Sequence, residues 1–265
     1  MACIHEDDGK GEMKMPDMST HFIKIQRGSA ITGIIIVFLV VAASAWGHLV
    51  SPHALPVAAP LHETLIVLDP GHGGPDPGAI SSDGLLEKDV VLQIALRLRH
   101  LLESSGYRVI MTRETDTDLG GTSTSLRDRK RTDLNERIRI INASGADAVI
   151  SIHANKFAST GVHGAQVFYR PDRAPESKIL GECIQQELVH ITGETTRDIN
   201  VSAGQLILQE TWLPAVNVEV GFLSNPREAR LLGDPRYQDK IAWAMMIGIS
   251  RYFGLLSETG LEASR

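Results

Sequence analysis

Between residues 63 and 256 the apolar positions switch repeatedly between strand-like and helix-like spacing. Thr64–Leu68 (TLIVL) is an unbroken β-branched run of the kind that forms a strand buried on both faces. Val90, Val91, Ile94, Leu98, Leu101 and Leu102 then recur at helical intervals and predict an amphipathic helix over 87–105, stopped at Gly106. Tyr107–Thr112 predicts the next strand. Asp133 and Glu136 resemble a capping pair, and Leu134, Ile138 and Ile141 mark the helix they open, which ends near Gly145. Ala148–Ile152 and Gly164–Tyr169 predict strands, 175–193 a helix, and Leu206–Leu208 and Val216–Val220 two short strands. Asp234-Pro235 supplies an N-cap and first-turn proline for a last helix. Its apolar stripe is Tyr237, Ile241, Met245, Ile249 and Tyr252, and it reaches about Phe253. The stretch 113–131 is polar and turn-rich, and predicts a surface loop. Strands alternating with helices define an α/β class: a single domain with a mostly parallel twisted sheet flanked by helices on both faces.

The front of the chain follows a different pattern. Residues 28–47 carry no charge over 20 positions, about the length that crosses a hydrocarbon core of roughly 30 Å. Lys24 and Arg27 precede the run and the next basic residue is Lys88, so the N-terminus is expected in the cytoplasm and the rest outside. Ala43-Ser44-Ala45 has the form of a cleavage site, so the run reads as an N-terminal transmembrane anchor or a signal peptide. The expected organisation is a cytoplasmic tail over 1–27, the span over 28–47, a proline-containing linker over 48–62, a catalytic domain over 63–256 and a C-terminal tail over 257–265.

Composition narrows the picture. Hydrophobic residues make up 43% and charged residues 22%, as in a globular protein, and the net charge of −6 argues against a nucleic-acid partner. Cys3 and Cys183 would lie on opposite sides of the membrane, which excludes a disulfide framework.

Four ionisable residues fall near expected strand ends, where open α/β sheets bind ligands. His72 follows the first strand within DPGHGG, Glu87 opens the next helix, His153 follows the strand AVISI within SIHAN and Glu219 sits in VEVGF. Two imidazoles, one carboxylate and an open position make a catalytic zinc set, and a second carboxylate suits proton transfer. His72, Glu87 and His153 are thus candidate ligands for one Zn2+ and Glu219 a candidate acid/base. Each has an ordinary alternative: a surface histidine after a glycine turn, a first-turn helix carboxylate, a strand-end histidine bonded to backbone. Glu219 differs in lying within the apolar run Ala215–Phe222, where an unpaired carboxylate is costly. Its structural competitor is a buried ion pair with an arginine.

DPGHGG with GLLEKDV, then RTDLNERIRIIN, SIHAN and VEVGFLSNPREARLL, resemble in content and order the Amidase_3 family of N-acetylmuramoyl-L-alanine amidases over about 63–256. The resemblance implies zinc held by His72, Glu87 and His153, Glu219 as catalytic acid/base, and peptidoglycan as substrate. Asn155, beside His153, is a candidate substrate contact. Within the family the segments GLLEKDVVLQIALRL and MTRETDTDL are most similar to the germination-specific, spore-cortex branch, which implies a place in muramic-δ-lactam formation. His163 stands where the family has a small or polar residue, and reads as a loop residue, a spare ligand or a substrate contact. Members that need an activator carry an inserted helix over the zinc. Here the corresponding regions are short, implying an open cleft or one completed by a partner, whether an activator or a lipoprotein. Two other functions remain open on the sequence: a different membrane-tethered zinc peptidase or deacylase, and a non-catalytic cell-wall-binding module.

Overall fold

The computed structural model describes residues 64–259. The expected tail, span and linker over 1–62 lie outside the described residues. Among the described residues no helix is long and apolar enough to cross a membrane.

Six strands form one sheet: β1 (Leu65–Pro70), β2 (Arg108–Met111), β3 (Ala148–Asn155), β4 (Gln166–Tyr169), β5 (Asn200–Val201) and β6 (Ala215–Phe222). Their order is β2-β1-β3-β6-β4-β5. β1 is parallel to β2 and β3, and β3 to β6, whereas β4 runs antiparallel to β6. The helices are α1 (Glu87–Ser104), α2 (Leu126–Ala143), α3 (Glu176–Glu187, continued by a π-turn over Leu188–Thr192), α4 (Leu206–Glu210), α5 (Pro226–Leu232) and α6 (Pro235–Thr259).

Strand side chains alternate between two unequal cores. The even-numbered positions of β1, β3 and β6, from Ile66 to Val220, join the apolar stripes of α1, α3 and α6 in the larger core. On the opposite face Leu65, Val67, Val149 and Ala215 meet Ile141 of α2 and Ile207 and Leu208 of α4. That second face changes character along the strands. Across the register, Val67, Val149 and Ala215 give way to the row Asp69, Ser151 and Asn217, and then to His153 beside Glu219. The apolar row seats two helices, and the polar rows open towards the strands' carboxyl ends.

Four expectations are corrected. Leu206–Leu208 is the start of helix α4, not a strand. A run of three apolar residues is too short to fix a period, and Ile207 and Leu208 are buried against the second face as a single helical turn. The loop expected over 113–131 ends earlier, because Ser125 caps α2 by accepting a hydrogen bond from Asp128 N–H. Asp133 is no cap: its carboxylate accepts from Leu119 N–H and Arg137 Nε. The last helix runs past Phe253 to Thr259, into the expected C-terminal tail. Cys183 is a buried free thiol.

Candidate metal centre

The turn after β1 carries the first candidate. His72 has φ 61°, a left-handed conformation that is unusual for a residue with a side chain and marks local strain. Two arginines hold the turn in place. Arg113 donates to the carbonyls of Pro70 at 3.0 Å and Gly71 at 2.8 Å. Arg137 donates to the carbonyls of Pro70 at 2.7 Å and His72 at 2.6 Å. Arg137 is buried, and its charge is met by Asp69 Oδ1 at 2.8 Å and Asp133 Oδ2 at 2.8 Å. Thr112 Oγ1 and Ser151 Oγ donate to the other lone pairs of Asp69. Burial alone would raise the Asp69 carboxyl, but the Arg137 charge and the Thr112 hydroxyl hold it below its usual range.

The three candidate ligands meet. Their donor atoms all lie within 4.8 Å of one another. Glu87 Oε1 is 3.1 Å from His72 Nε2 and 3.0 Å from His153 Nδ1. Tetrahedral coordination with bonds of about 2.0–2.1 Å separates ligand atoms by roughly 3.3 Å, so the spacing and the donor set both fit zinc. The imidazole rings are 5.0 Å apart and nearly perpendicular. His72 Nδ1 bonds to Asp76 Oδ2 at 2.9 Å, which orients the ring and leaves Nε2 for a metal. Lys130 Nζ lies 2.7 Å from the other Asp76 oxygen. Glu87 is held by two backbone donors, Ala79 N–H at 2.7 Å and Ala154 N–H at 3.0 Å. Glycines make the close packing possible: a Cβ on Gly71 would overlap the His153 ring. At Gly78, φ 67°, a Cβ would come within 2.5 Å of Glu87 Oε2.

The electrostatics suit a cation. Against burial, hydrogen bonds and charge from Asp76 and Glu87 raise the His72 imidazole to about 9. Burial opposes ionisation of Glu87, yet the two imidazoles hold its carboxyl well below the usual range. A metal ion bound here would take the place of a proton between these groups.

Glu219 pairs with His153 across β3 and β6. Burial raises its carboxyl, Glu87 adds to that, and His153 and Asn217 oppose it. Its Oε1 accepts a hydrogen bond from Asn217 Nδ2 at 2.9 Å, and among the described residues no arginine pairs with it. A cavity of about 290 Å³ opens at this edge. Leu134, Gln205–Leu208, Ser151 and Asn217 line it together with His72, His153 and Glu219.

The remaining candidates lie elsewhere. Asn155 ends β3, turns its Oδ1 to Lys156 N–H at 2.8 Å, and is not among the residues lining the cavity. His163 is exposed and its Nδ1 bonds to the Gly161 carbonyl at 3.0 Å, apart from the three-residue ligand group. Sequence reasoning passed over Asp69, Arg113 and Arg137, which hold the turn, as well as Asp76 and Asn217. The signal for Asp69 and Asn217 was available: with a period of two, the polar members of LIVLDP and AVNVEVGF fall on one face. For Arg137 and Arg113 no pattern in the chain marks burial.

An open-ended α/β sheet with a two-histidine, one-carboxylate cluster that could hold a metal ion, beside a further carboxylate, is an architecture suited to a hydrolase. The particular family follows from comparison. The profile of the N-acetylmuramoyl-L-alanine amidase family Amidase_3 matches residues 66–251, and the chain belongs to that family. It is 48% identical over 200 residues to the germination-specific N-acetylmuramoyl-L-alanine amidase of Bacillus subtilis (strain 168), covering 75% of this chain and 83% of that one. Among solved structures it resembles the CwlD amidase of Clostridioides difficile, determined in complex with the GerS lipoprotein. The TM-score is 0.70 at 42% identity, over 72% of this chain and 99% of that one. The catalytic domain of CwlV from Bacillus (Paenibacillus) polymyxa var. colistinus superposes with TM-score 0.63 at 30% identity, over 72% of this chain and 98% of that one.

Proposed function

We propose that this amidase is zinc-dependent, hydrolyses the amide between N-acetylmuramic acid and L-alanine, and acts in spore-cortex maturation ahead of muramic-δ-lactam formation. The observation that carries the reading is the convergence of His72, Glu87 and His153 beside Glu219. Zinc held by those three would polarise the scissile carbonyl and acidify water. The chain's own residues do the rest. Asp76 fixes the His72 ring, and Ala79 and Ala154 fix Glu87. Glu219, its carboxyl raised by burial, takes a proton from the attacking water and returns it to the leaving amine of L-alanine. A carboxyl pushed upward is matched to that exchange near neutral pH.

The spore-cortex role is supported by the 48% identity to the germination-specific relative. Export, with residues 28–47 as anchor or signal segment, is part of the same reading, and so is a lipoprotein partner of the kind bound by the Clostridioides difficile neighbour. The test is hydrolysis of purified peptidoglycan by the exported domain. Chelation should abolish it and zinc restore it, with new L-alanine amino termini and an intact glycan. Release of internal peptide amino groups instead would point to a peptidase. Robust turnover without added protein would exclude an obligatory activator.

A further inference from the structure

Asn217 stands two positions before Glu219 on β6, so both side chains project from the same face of the sheet. It is 2% exposed and belongs to the row formed with Asp69 and Ser151. Asp69 and Ser151 are joined by a hydrogen bond of 2.9 Å. Asn217 is tied differently: its Nδ2 donates to Glu219 Oε1 at 2.9 Å, and its Oδ1 is buried with no partner among the described residues. A buried amide oxygen without a donor costs stability, and an apolar side chain there would not carry that cost. The fold therefore gains little from an amide at this position. The gain lies at Glu219, whose flexible side chain would otherwise be free to change rotamer beside the cavity.

Resting on the acid/base reading of Glu219, we propose that Asn217 is the positioning residue for that carboxylate. It holds Oε1 as a fixed acceptor, so that Oε2 takes up and returns the proton. The donor to Oε1 also sets the plane of the carboxylate. No atom of Asn217 takes part in the reaction, so its effect falls on turnover and not on metal or substrate binding.

The test compares wild type, Asn217→Leu and Glu219→Gln of the exported domain. The readouts are kcat and KM on a soluble muropeptide, bound zinc by elemental analysis, and Tm. Leucine removes the donor and the orphaned oxygen together and is close to asparagine in size and shape. We expect kcat of Asn217→Leu to fall about 10- to 100-fold, as for loss of one hydrogen bond to a charged group. KM and zinc content should stay within about twofold, and Tm should be equal or higher. Unchanged kcat in folded Asn217→Leu overturns the proposal, and so does a fall in kcat that accompanies lost zinc or a lowered Tm. If Asn217→Leu does not fold, Asn217→Ala removes the donor with less volume and is judged by the same criteria for kcat, KM and zinc content. Full turnover in Glu219→Gln would place the fault in the acid/base assignment itself, a result separate from failure at Asn217 alone.

Discussion

Replacing Arg137 by methionine tests whether the strained turn is held by a buried ion cluster. Arg137 and Asp69 are 2% and 0% exposed. The substitution keeps most of the side-chain volume but leaves the Asp69 carboxylate with only the hydroxyls of Thr112 and Ser151. It also removes a donor from the carbonyls of Pro70 and His72. Breaking one partner out of a buried pair costs about 3–5 kcal/mol, because the other charge stays buried and uncompensated. For a domain of this size each kcal/mol lowers Tm by about 2–4 °C, so a fall on the order of 10 °C is expected in calorimetry. Asn at position 69 in the Arg137→Met background removes the stranded charge and should recover most of the stability. It should not recover turnover, because the His72 carbonyl has then lost its Arg137 donor and Arg113 alone holds the turn with its φ of 61°. Urea unfolding and peptidoglycan hydrolysis measured on the same three proteins separate the two effects. A loss below about 1 kcal/mol in Arg137→Met, or a double variant with wild-type kcat, would refute the reasoning.

Other consequences can be read at the same bench. Gly71→Ala should fold but lose zinc affinity by at least about tenfold, since its methyl group meets the His153 ring; competition with a chromogenic chelator measures it, and wild-type affinity would contradict the packing. Glu219→Gln should retain stoichiometric zinc and lose about 100-fold or more in kcat, and metal analysis beside turnover checks both. Asp69 has a carboxyl depressed in the folded state, so its stabilising contribution is present above the unfolded value of 3.8 and lost as pH falls below it. Unfolding measured from pH 6 down to pH 3 should therefore show an acid-side loss of stability that is shallower in Asp69→Asn. An identical slope in the two proteins would mean that the Arg137 pair does not depress Asp69.

What could be read from the sequence, and what could not, follows from which interactions are local. Long periodic stretches fixed α1, β1, β3 and α6, because burial of an apolar stripe or of a whole strand leaves its period in the chain. The convergence of the four candidate residues was legible because a sheet's carboxyl edge gathers whatever follows each strand, and DPGHGG, the helix start at Glu87, SIHAN and VEVGF all fall there. The helical state of Leu206–Leu208 was not legible, since a single turn is decided by the second core against which it packs. The polar start of α2 was missed because the Ser125 cap outweighed a stretch without apolar period. Arg137 is the clearest case. A charged residue on a mostly polar helix reads as solvent-facing, yet it is buried because Asp69 and the carbonyls of Pro70 and His72 converge on it from distant positions, with Asp133 one turn away on its own helix. The sequence thus displays the groups proposed to perform the chemistry, whereas those that hold them in place become visible only when the second face of the sheet is assembled. It is on that face that apolar rows give way to Asp69, Ser151 and Asn217 beneath His153 and Glu219, so the same few positions serve both the sheet and the proposed chemistry.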